Sequence, residues 1–113
     1  MTINVREKIG TPSAITQESG ELIYSCICAA IEANQEIVLD FGEIENIITP
    51  FLNNSIGKLY GKYNSSEIQK YLKFKNYPAE KVVALNMVIT NAKRFYADRN
   101  SYNKVINGVL NDE

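Results

Sequence analysis

The chain has 113 residues, of which 45% are hydrophobic and 22% are charged, a balance typical of one globular domain. Its net charge of −1 excludes binding to nucleic acid or to an anionic membrane by bulk charge alone. The sequence has no histidine, so Ser-His and Cys-His nucleophile pairs and histidine-containing zinc sites are excluded as well. We therefore expect a single domain, residues 1–113, that is not an enzyme and needs no metal or cofactor.

The two cysteines and the N-terminus indicate where the protein works. Cys26 and Cys28 lie in one apolar run, where a helix turns them to different faces, so we expect neither a disulfide nor a metal pair. We interpret both as small hydrophobic side chains in a reduced compartment. No stretch has the length of a signal peptide core or the roughly 20 apolar residues that cross a bilayer. We therefore expect a cytoplasmic protein with no membrane segment.

Two strands are predicted in the first 42 residues. Ile3 and Val5 alternate with polar residues before Gly10, a pattern typical of a short strand with one face in the core. Residues 36–41 form a compact, β-branched apolar run that is closed by Gly42. Such a run predicts the central strand of the sheet, covered on both faces.

A long helix is predicted between these two strands. Thr11 and Pro12 supply an N-cap hydroxyl and a proline suited to the first turn, and apolar residues then recur with helical spacing until about Asn34. Gly20 interrupts this helix at a cost of about 1 kcal/mol relative to alanine. We therefore expect either a close contact with the sheet at Gly20 or loosely formed first turns.

A second helix is predicted to begin at Thr49 and Pro50. Thr49 supplies an N-cap hydroxyl, and Pro50 has the backbone angle that the first turn requires. One side of this helix carries a stripe of apolar residues, so we expect its other side to face solvent. The stripe consists of Phe51, Leu52, Ile56, Leu59, Tyr60 and Tyr63.

The remaining elements are a short helix, a third strand and a C-terminal helix. Ser65 and Ser66 precede Glu67 and Gln69, which is typical of a capping-box start for a short helix that ends near Tyr71. Residues 72–75 alternate as a strand does. Pro78 precedes another helix, whose apolar pattern pauses at residues 98–100 and resumes in a helical tail, residues 101–113. Strands that alternate with helices predict an α/β fold with a small, mostly parallel sheet of three to four strands and crossover helices.

The segment from Glu36 to Ile44, followed by the segment from Ile47 to Phe51, resembles a strand-loop-helix signature of STAS-like domains. It is similar to an uncharacterised subgroup related to bacterial anti-sigma-factor antagonists, in which an Asp-Phe pair ends the strand and a Phe opens the next helix. The order of elements from Gly10 to about Asp98 is also similar to that subgroup. The last strand and helix of a full STAS domain have no match, so we expect the tail from Ser101 to fill some of that space.

The resemblance also implies a function. In the antagonists, a kinase of the histidine-kinase-like ATPase fold phosphorylates a hydroxyl at the start of the helix after the strand, and the phosphate blocks docking. Thr49 falls at that place, although Ile48, Pro50 and Phe51 depart from the antagonist pattern. The resemblance therefore implies a regulatory module that binds an anti-sigma or serine/threonine kinase of this fold, with Thr49 as the phosphate acceptor. The partner-binding residues that we predict are Thr49, Asn53, Asn54 and Lys58 on the exposed side of that helix.

The distribution of charge leaves an alternative function open. Residues 1–57 hold 2 basic and 8 acidic side chains, whereas residues 58–113 hold 10 basic and 5 acidic ones. Lysines and tyrosines interleave within residues 58–77, a composition that could contact phosphates and stack on bases. The alternative is therefore a module that binds nucleic acid or a nucleotide through this segment. The same tyrosines fall on core-facing helix positions, so we rank a protein partner first.

Three acidic residues cluster around the loop after the predicted central strand. Asp40, Glu43 and Glu45 lie where an open α/β sheet usually binds its ligand, which makes a magnesium site conceivable. No glycine-rich phosphate loop accompanies them. We therefore expect Asp40 to accept hydrogen bonds from loop amides, with Glu43 and Glu45 facing water.

Overall fold

A computed structural model describes the backbone of residues 1–111 and the side chains of residues 1–97. It confirms an α/β fold with a small parallel sheet and a C-terminal helix. The strands are β1 (Thr2–Asn4), β2 (Ser13–Ala14), β3 (Ile37–Asp40), β4 (Asn46–Ile47) and β5 (Leu72–Lys75). The helices are α1 (Val5–Ile9), α2 (Gln17–Glu32), α3 (Thr49–Ser55), α4 (Ser65–Tyr71) and α5 (Val82–Asn111), and 3-10 helices cover Gly57–Gly61 and Ala79–Lys81.

The central strand of the sheet is β3, as the sequence predicts. It pairs in parallel with β1 on one side and with β5 on the other, so that Leu39 is level with Ile3 and Phe74. The two crossovers, from β1 to β3 and from β3 to β5, run in the same direction across the sheet. Right-handed crossovers that share a direction place their helices on one face. Ile37 and Leu39 point to that face and are fully buried.

The second face of the sheet is open within the described residues, so the prediction that the central strand is covered on both faces is wrong. Val38 and Asp40 on this face are half-buried, and their neighbours Thr2, Lys73 and Lys75 are exposed. The strand order never reverses, and the crossovers therefore supply no second layer of helices. The apolar run alone does not reveal that one face of the sheet is open, because the order of strands is not a local property.

The first predicted helix begins later than expected. The N-cap of α2 is Thr16, whose Oγ1 accepts a hydrogen bond from the backbone N–H of Ser19 at 3.0 Å. The residues after Pro12 stay extended because Ser13–Ala14 pairs in parallel with β4. The Pro12 carbonyl accepts a hydrogen bond from the Glu45 N–H at 2.8 Å and joins these two segments.

The first predicted strand is also shorter than expected, because Val5 begins α1 instead of extending β1. The cap of this helix is Asn4, whose Oδ1 accepts a hydrogen bond from the Glu7 N–H at 2.9 Å. The turn of helix brings Val5 into the core, where its side chain is fully buried.

The elements after residue 64 agree more closely with the prediction. A capping box starts α4 as predicted, but its N-cap is Asn64 and not Ser65 or Ser66: Asn64 and Glu67 form hydrogen bonds of 2.8 and 3.3 Å. The last helix, α5, is continuous and does not pause at residues 98–100. The predicted packing of the tail, residues 101–113, lies outside the described side chains. No described helix has the length and apolar character that a membrane crossing requires.

At Gly20, α2 packs closely against α3. A Cβ atom added to Gly20 would lie 2.8 Å from the carbonyl oxygen of Phe51 and 2.8 Å from the Cβ of Asn54. The close contact expected at this glycine therefore exists, but its partner is a helix and not the sheet. The contact fixes α3 on the molecule, and α3 carries the residues that the sequence singles out.

Candidate functional site

The start of α3 is fixed by the small sheet of β2 and β4. Ala14 is level with Ile47, and the N–H of Ile48 donates to the carbonyl of Ala14 at 3.1 Å. Ile48 therefore keeps an extended backbone, with φ of −120° and ψ of 161°, and is itself the N-cap of the helix. Thr49 is already helical and supplies no capping hydrogen bond, so its predicted role as the N-cap is wrong.

The Thr49 hydroxyl is accessible. Its side chain is exposed, and it makes no side-chain hydrogen bond within the part of the chain that the structure describes. The next residue, Pro50, is exposed as well, whereas Phe51 is fully buried and anchors the helix. A hydroxyl that caps nothing is free to react without loss of a helix cap.

The structure brings three of the four predicted partner-binding residues together. Asn53, Asn54 and Lys58 line one depression of about 280 Å³, which Asn91 and Phe95 of α5 close on the other side. Thr49 precedes Asn53 by four residues, and this spacing places both on the same side of α3. Asn53 is exposed as predicted, whereas Asn54 is half-buried because α2 and α5 flank the helix. Lys58 is half-buried as well, and it lies on the 3-10 helix Gly57–Gly61 and not, as predicted, on the same helix as Asn53.

Neighbouring groups hold two of these side chains in place. The Asn54 Nδ2 donates to the Pro50 carbonyl at 2.9 Å. The Lys58 Nζ lies 3.7 Å from the Glu21 Oε1 and 4.5 Å from the centroid of the Tyr24 ring. Burial, followed by the nearby Cys28 thiol, raises the pKa of Tyr24 to about 12, so the ring beneath Lys58 is neutral at physiological pH. The surface is therefore preorganised, which lowers the entropic cost of binding.

The sequence-based prediction missed two exposed isoleucines beside Thr49. Ile15 and Ile48 follow the paired residues Ala14 and Ile47, so they lie side by side at the end of the small sheet. Their side chains are 44% and 41% exposed. The available signal was the doubled isoleucine at 47–48, since alternation in a strand buries only one of two neighbours. The partner strand of two residues was too short to recognise.

Asp40, the last residue of β3, accepts hydrogen bonds from the loop that follows, as predicted. The Asp40 Oδ1 accepts hydrogen bonds from the Gly42 N–H at 2.8 Å and from the Asn76 Nδ2 at 3.0 Å. The Asn76 bond, then the Gly42 bond and the charge of Lys75, hold the pKa of Asp40 below its usual value. Glu43 and Glu45 are exposed, and the Glu43 Oε2 lies 3.3 Å from the Arg6 Nη1. The described residues contain no group of three metal-ligating side chains.

The tyrosines of the segment 58–77 pack against the hydrophobic core. Tyr60, Tyr63, Tyr71 and Tyr77 are all partly buried there. The Tyr71 hydroxyl lies 3.1 Å from the Asn34 Oδ1, and burial raises the pKa of Tyr77 to about 12. These rings are not laid out as a stacking platform for bases, which disfavours the nucleic-acid alternative.

The strand order disfavours a nucleotide site as well. Open α/β sheets bind such ligands in the crevice where the order of strands reverses. The order β1-β3-β5 contains no reversal, so the described sheet has no crevice of that kind.

Comparison with known families gives one match. The model of a family described as a STAS-like domain of unknown function (DUF4325) matches residues 19–80, which is more than half of the chain. The match confirms the resemblance inferred from residues 36–51, and it includes Thr49, Asn53, Asn54 and Lys58. Comparisons with curated proteins and with solved structures found no match.

Proposed function

The chain belongs to the family of STAS-like domains of unknown function, and from that membership we propose that it is a cytoplasmic, non-enzymatic regulatory module that binds another protein. The binding site is the surface around the start of α3, which we term the α3 surface. It consists of Ile15, Ile48, Thr49, Asn53, Asn54 and Lys58. One observation carries the proposal: an accessible hydroxyl and two exposed isoleucines lie at the start of α3, and the same helix leads into a depression lined by Asn53, Asn54 and Lys58 together with Phe95.

The composition of the α3 surface suits a protein partner. Ile15 and Ile48 offer exposed apolar area that a folded partner can cover. Asn53 and Asn54 carry amides that can bond to a partner backbone, and Lys58 adds one oriented positive charge. Apolar contacts surrounded by satisfied polar groups are the usual arrangement of a specific protein interface.

The resemblance to anti-sigma-factor antagonists supports one partner class, an anti-sigma or serine/threonine kinase with the histidine-kinase-like ATPase fold. In this proposal the partner docks on the α3 surface and phosphorylates Thr49. A phosphate adds about −1.5 to −2 charges at pH 7. It would sit among Ile48 and Ile15, whose contacts with the partner it would disrupt by bringing a hydrated anion into an apolar area.

Charge introduced at Ile48 is expected to abolish docking. The full chain is immobilised, incubated with lysate of the native cell, and the retained proteins are identified by mass spectrometry. We expect Ile48→Glu to reduce retention of the ATPase partner by more than about tenfold, since the carboxylate replaces apolar contact area. Asn53→Glu, on the next turn, should act in the same direction.

The matched control for this experiment is Leu22→Glu. Leu22 lies on α2 and is 41% exposed, the same fraction as Ile48, so the two variants differ only in where the charge is placed. We expect Leu22→Glu to retain the partner as the wild type does, and all three variants to melt within a few degrees of it. Equal retention by all variants would place the interface elsewhere.

The Thr49 switch is tested by two substitutions of similar size. We expect Thr49→Asp to weaken retention of the partner by about tenfold, whereas Thr49→Val spares it, because only Asp imitates the added charge. Both variants should keep the wild-type melting temperature, since Thr49 does not cap α3. Equal retention of the partner by both variants, or native protein without phosphate on Thr49 by mass spectrometry, would contradict the switch.

A further inference from the structure

The outer side of α5 lacks charge where a surface helix normally carries it. Between Lys81 and Lys93 no residue is charged, although Val83 is 69% exposed and Met87 is 59% exposed. Helices that face solvent usually carry charged residues on that side. Interface cores, in contrast, are depleted in charge and enriched in methionine. This segment therefore has the composition of a contact surface.

The exposed residues are spaced as in a seam between two helices. Five of them recur at alternating intervals of three and four positions, which is the spacing of residues that pack against a facing helix. We term them the α5 strip: Glu80 in the 3-10 turn that leads into α5, and Val83, Met87, Thr90 and Arg94 on α5 itself, all exposed. A depression of about 260 Å³ lies along the strip, lined by Val83, Asn86, Met87, Thr90 and Asn91. It is open to a side chain from a facing helix.

The charges at the two ends of the strip indicate that it binds a second copy of the same chain. Glu80 lies seven residues before Met87, and Arg94 lies seven residues after it. When two copies pack antiparallel about a twofold axis at Met87, each Glu80 faces the Arg94 of the other copy. Parallel packing would instead set Glu80 against Glu80 and Arg94 against Arg94. The strip is thus complementary to itself in one arrangement only.

We infer that the α5 strip is the contact between two copies of this chain, packed antiparallel with Met87 on the twofold axis. The uncharged centre lets two identical surfaces meet without like-charge repulsion, and each Met87 enters the depression on the other copy. The α5 strip shares no residue with the α3 surface. Asn91 lines the depressions beside both, but none of the test variants changes it. Self-association is therefore a proposal beyond the docking function, and either one can be correct when the other is wrong.

Sedimentation velocity of the full chain tests this inference. At about 100 μM we expect a species of twice the 12.7 kDa chain mass. Met87→Glu should raise the dissociation constant of the dimer by more than about tenfold, because two carboxylates then meet on the axis. Met87 is largely exposed in the single chain, so we expect this variant to fold, which circular dichroism checks.

Charge exchange at the ends of the strip tests the antiparallel arrangement. Glu80→Arg alone and Arg94→Glu alone should each weaken the dimer by about three- to tenfold, since each sets like charges against one another. The double variant should restore the dissociation constant to within about twofold of wild type. A chain that stays monomeric at this concentration overturns the inference, and so does a dimer that is indifferent to Met87→Glu or is not restored by the double exchange.

Discussion

Replacement of Phe51 with alanine is expected to lower the free energy of unfolding by about 3–5 kcal/mol. Phe51 is fully buried, and it lies in α3, a helix of seven residues. So short a helix is not stable by itself in water. Its N-cap makes no side-chain hydrogen bond, and no charged residue in its first or last turn offsets the helix dipole. Packing of the buried side is what holds the helix in place.

Urea unfolding followed by circular dichroism measures this loss. The matched control is Phe95→Ala on α5, because Phe95 is 58% exposed and its removal should cost no more than about 1 kcal/mol. Phe51→Ala should also weaken partner retention in conditions where the chain is still folded, since the α3 surface rests on this anchor. A loss of less than about 1 kcal/mol would show that α3 does not depend on its buried aromatic ring.

Elements with local signals could be predicted from the sequence. The strand β3 follows from its apolar run, and α4 follows from the polar residues at its start, although its N-cap is Asn64 and not one of the two serines that were predicted. The strand β5 follows from simple alternation over four residues. In each case the residues that specify the element are neighbours in the chain, so a short window contains the whole signal.

The elements that the sequence did not reveal depend on distant pairings. The strands β2 and β4 have two residues each and exist only because they pair with one another. Because of their pairing, the N-cap of α2 is Thr16 and not the Thr11 that the sequence predicts. The pairing also kept Ile48 extended and made Thr49 the first helical residue. A threonine before a proline is compatible with either position, so only the partner strand could decide between them.

The candidate site was likewise predicted only where its residues are neighbours in the chain. The sequence placed Asn53, Asn54 and Lys58 on one helix, and the structure sets them around one depression. The sequence could not show that α5 closes this depression, because α3 and α5 are distant in the chain and meet only in the folded structure. The exposed isoleucines at 15 and 48 were missed for the same reason, since they are adjacent only through the pairing of β2 with β4.

Replacement of Gly20 with alanine is expected to lower the free energy of unfolding by about 1–2 kcal/mol, although alanine is the better helix former. Helix propensity alone would favour the variant by about 1 kcal/mol. The added Cβ, however, would lie 2.8 Å from the Phe51 carbonyl oxygen. This oxygen belongs to the backbone of α3, so it cannot move away by a change of rotamer as a flexible side chain can. Overpacking costs about 1–3 kcal/mol, and a contact of 2.8 Å with backbone belongs to the upper part of that range, about 2–3 kcal/mol. Subtraction of the gain in propensity leaves a net loss of about 1–2 kcal/mol. Gly20→Val should cost about 3 kcal/mol, because its branched side chain must displace α3 further.

Ser25→Ala provides the control for this substitution. Ser25 lies on the exposed side of the same helix, where alanine gains propensity without meeting a neighbour, so its stability should equal or slightly exceed that of the wild type. Because the clash at Gly20 also involves the Asn54 Cβ, Gly20→Ala should weaken partner retention together with stability. An increase of about 1 kcal/mol in the stability of Gly20→Ala would mean that only propensity acts there. In that case α2 and α3 do not approach as closely as described, and the α3 surface loses the packing that positions it.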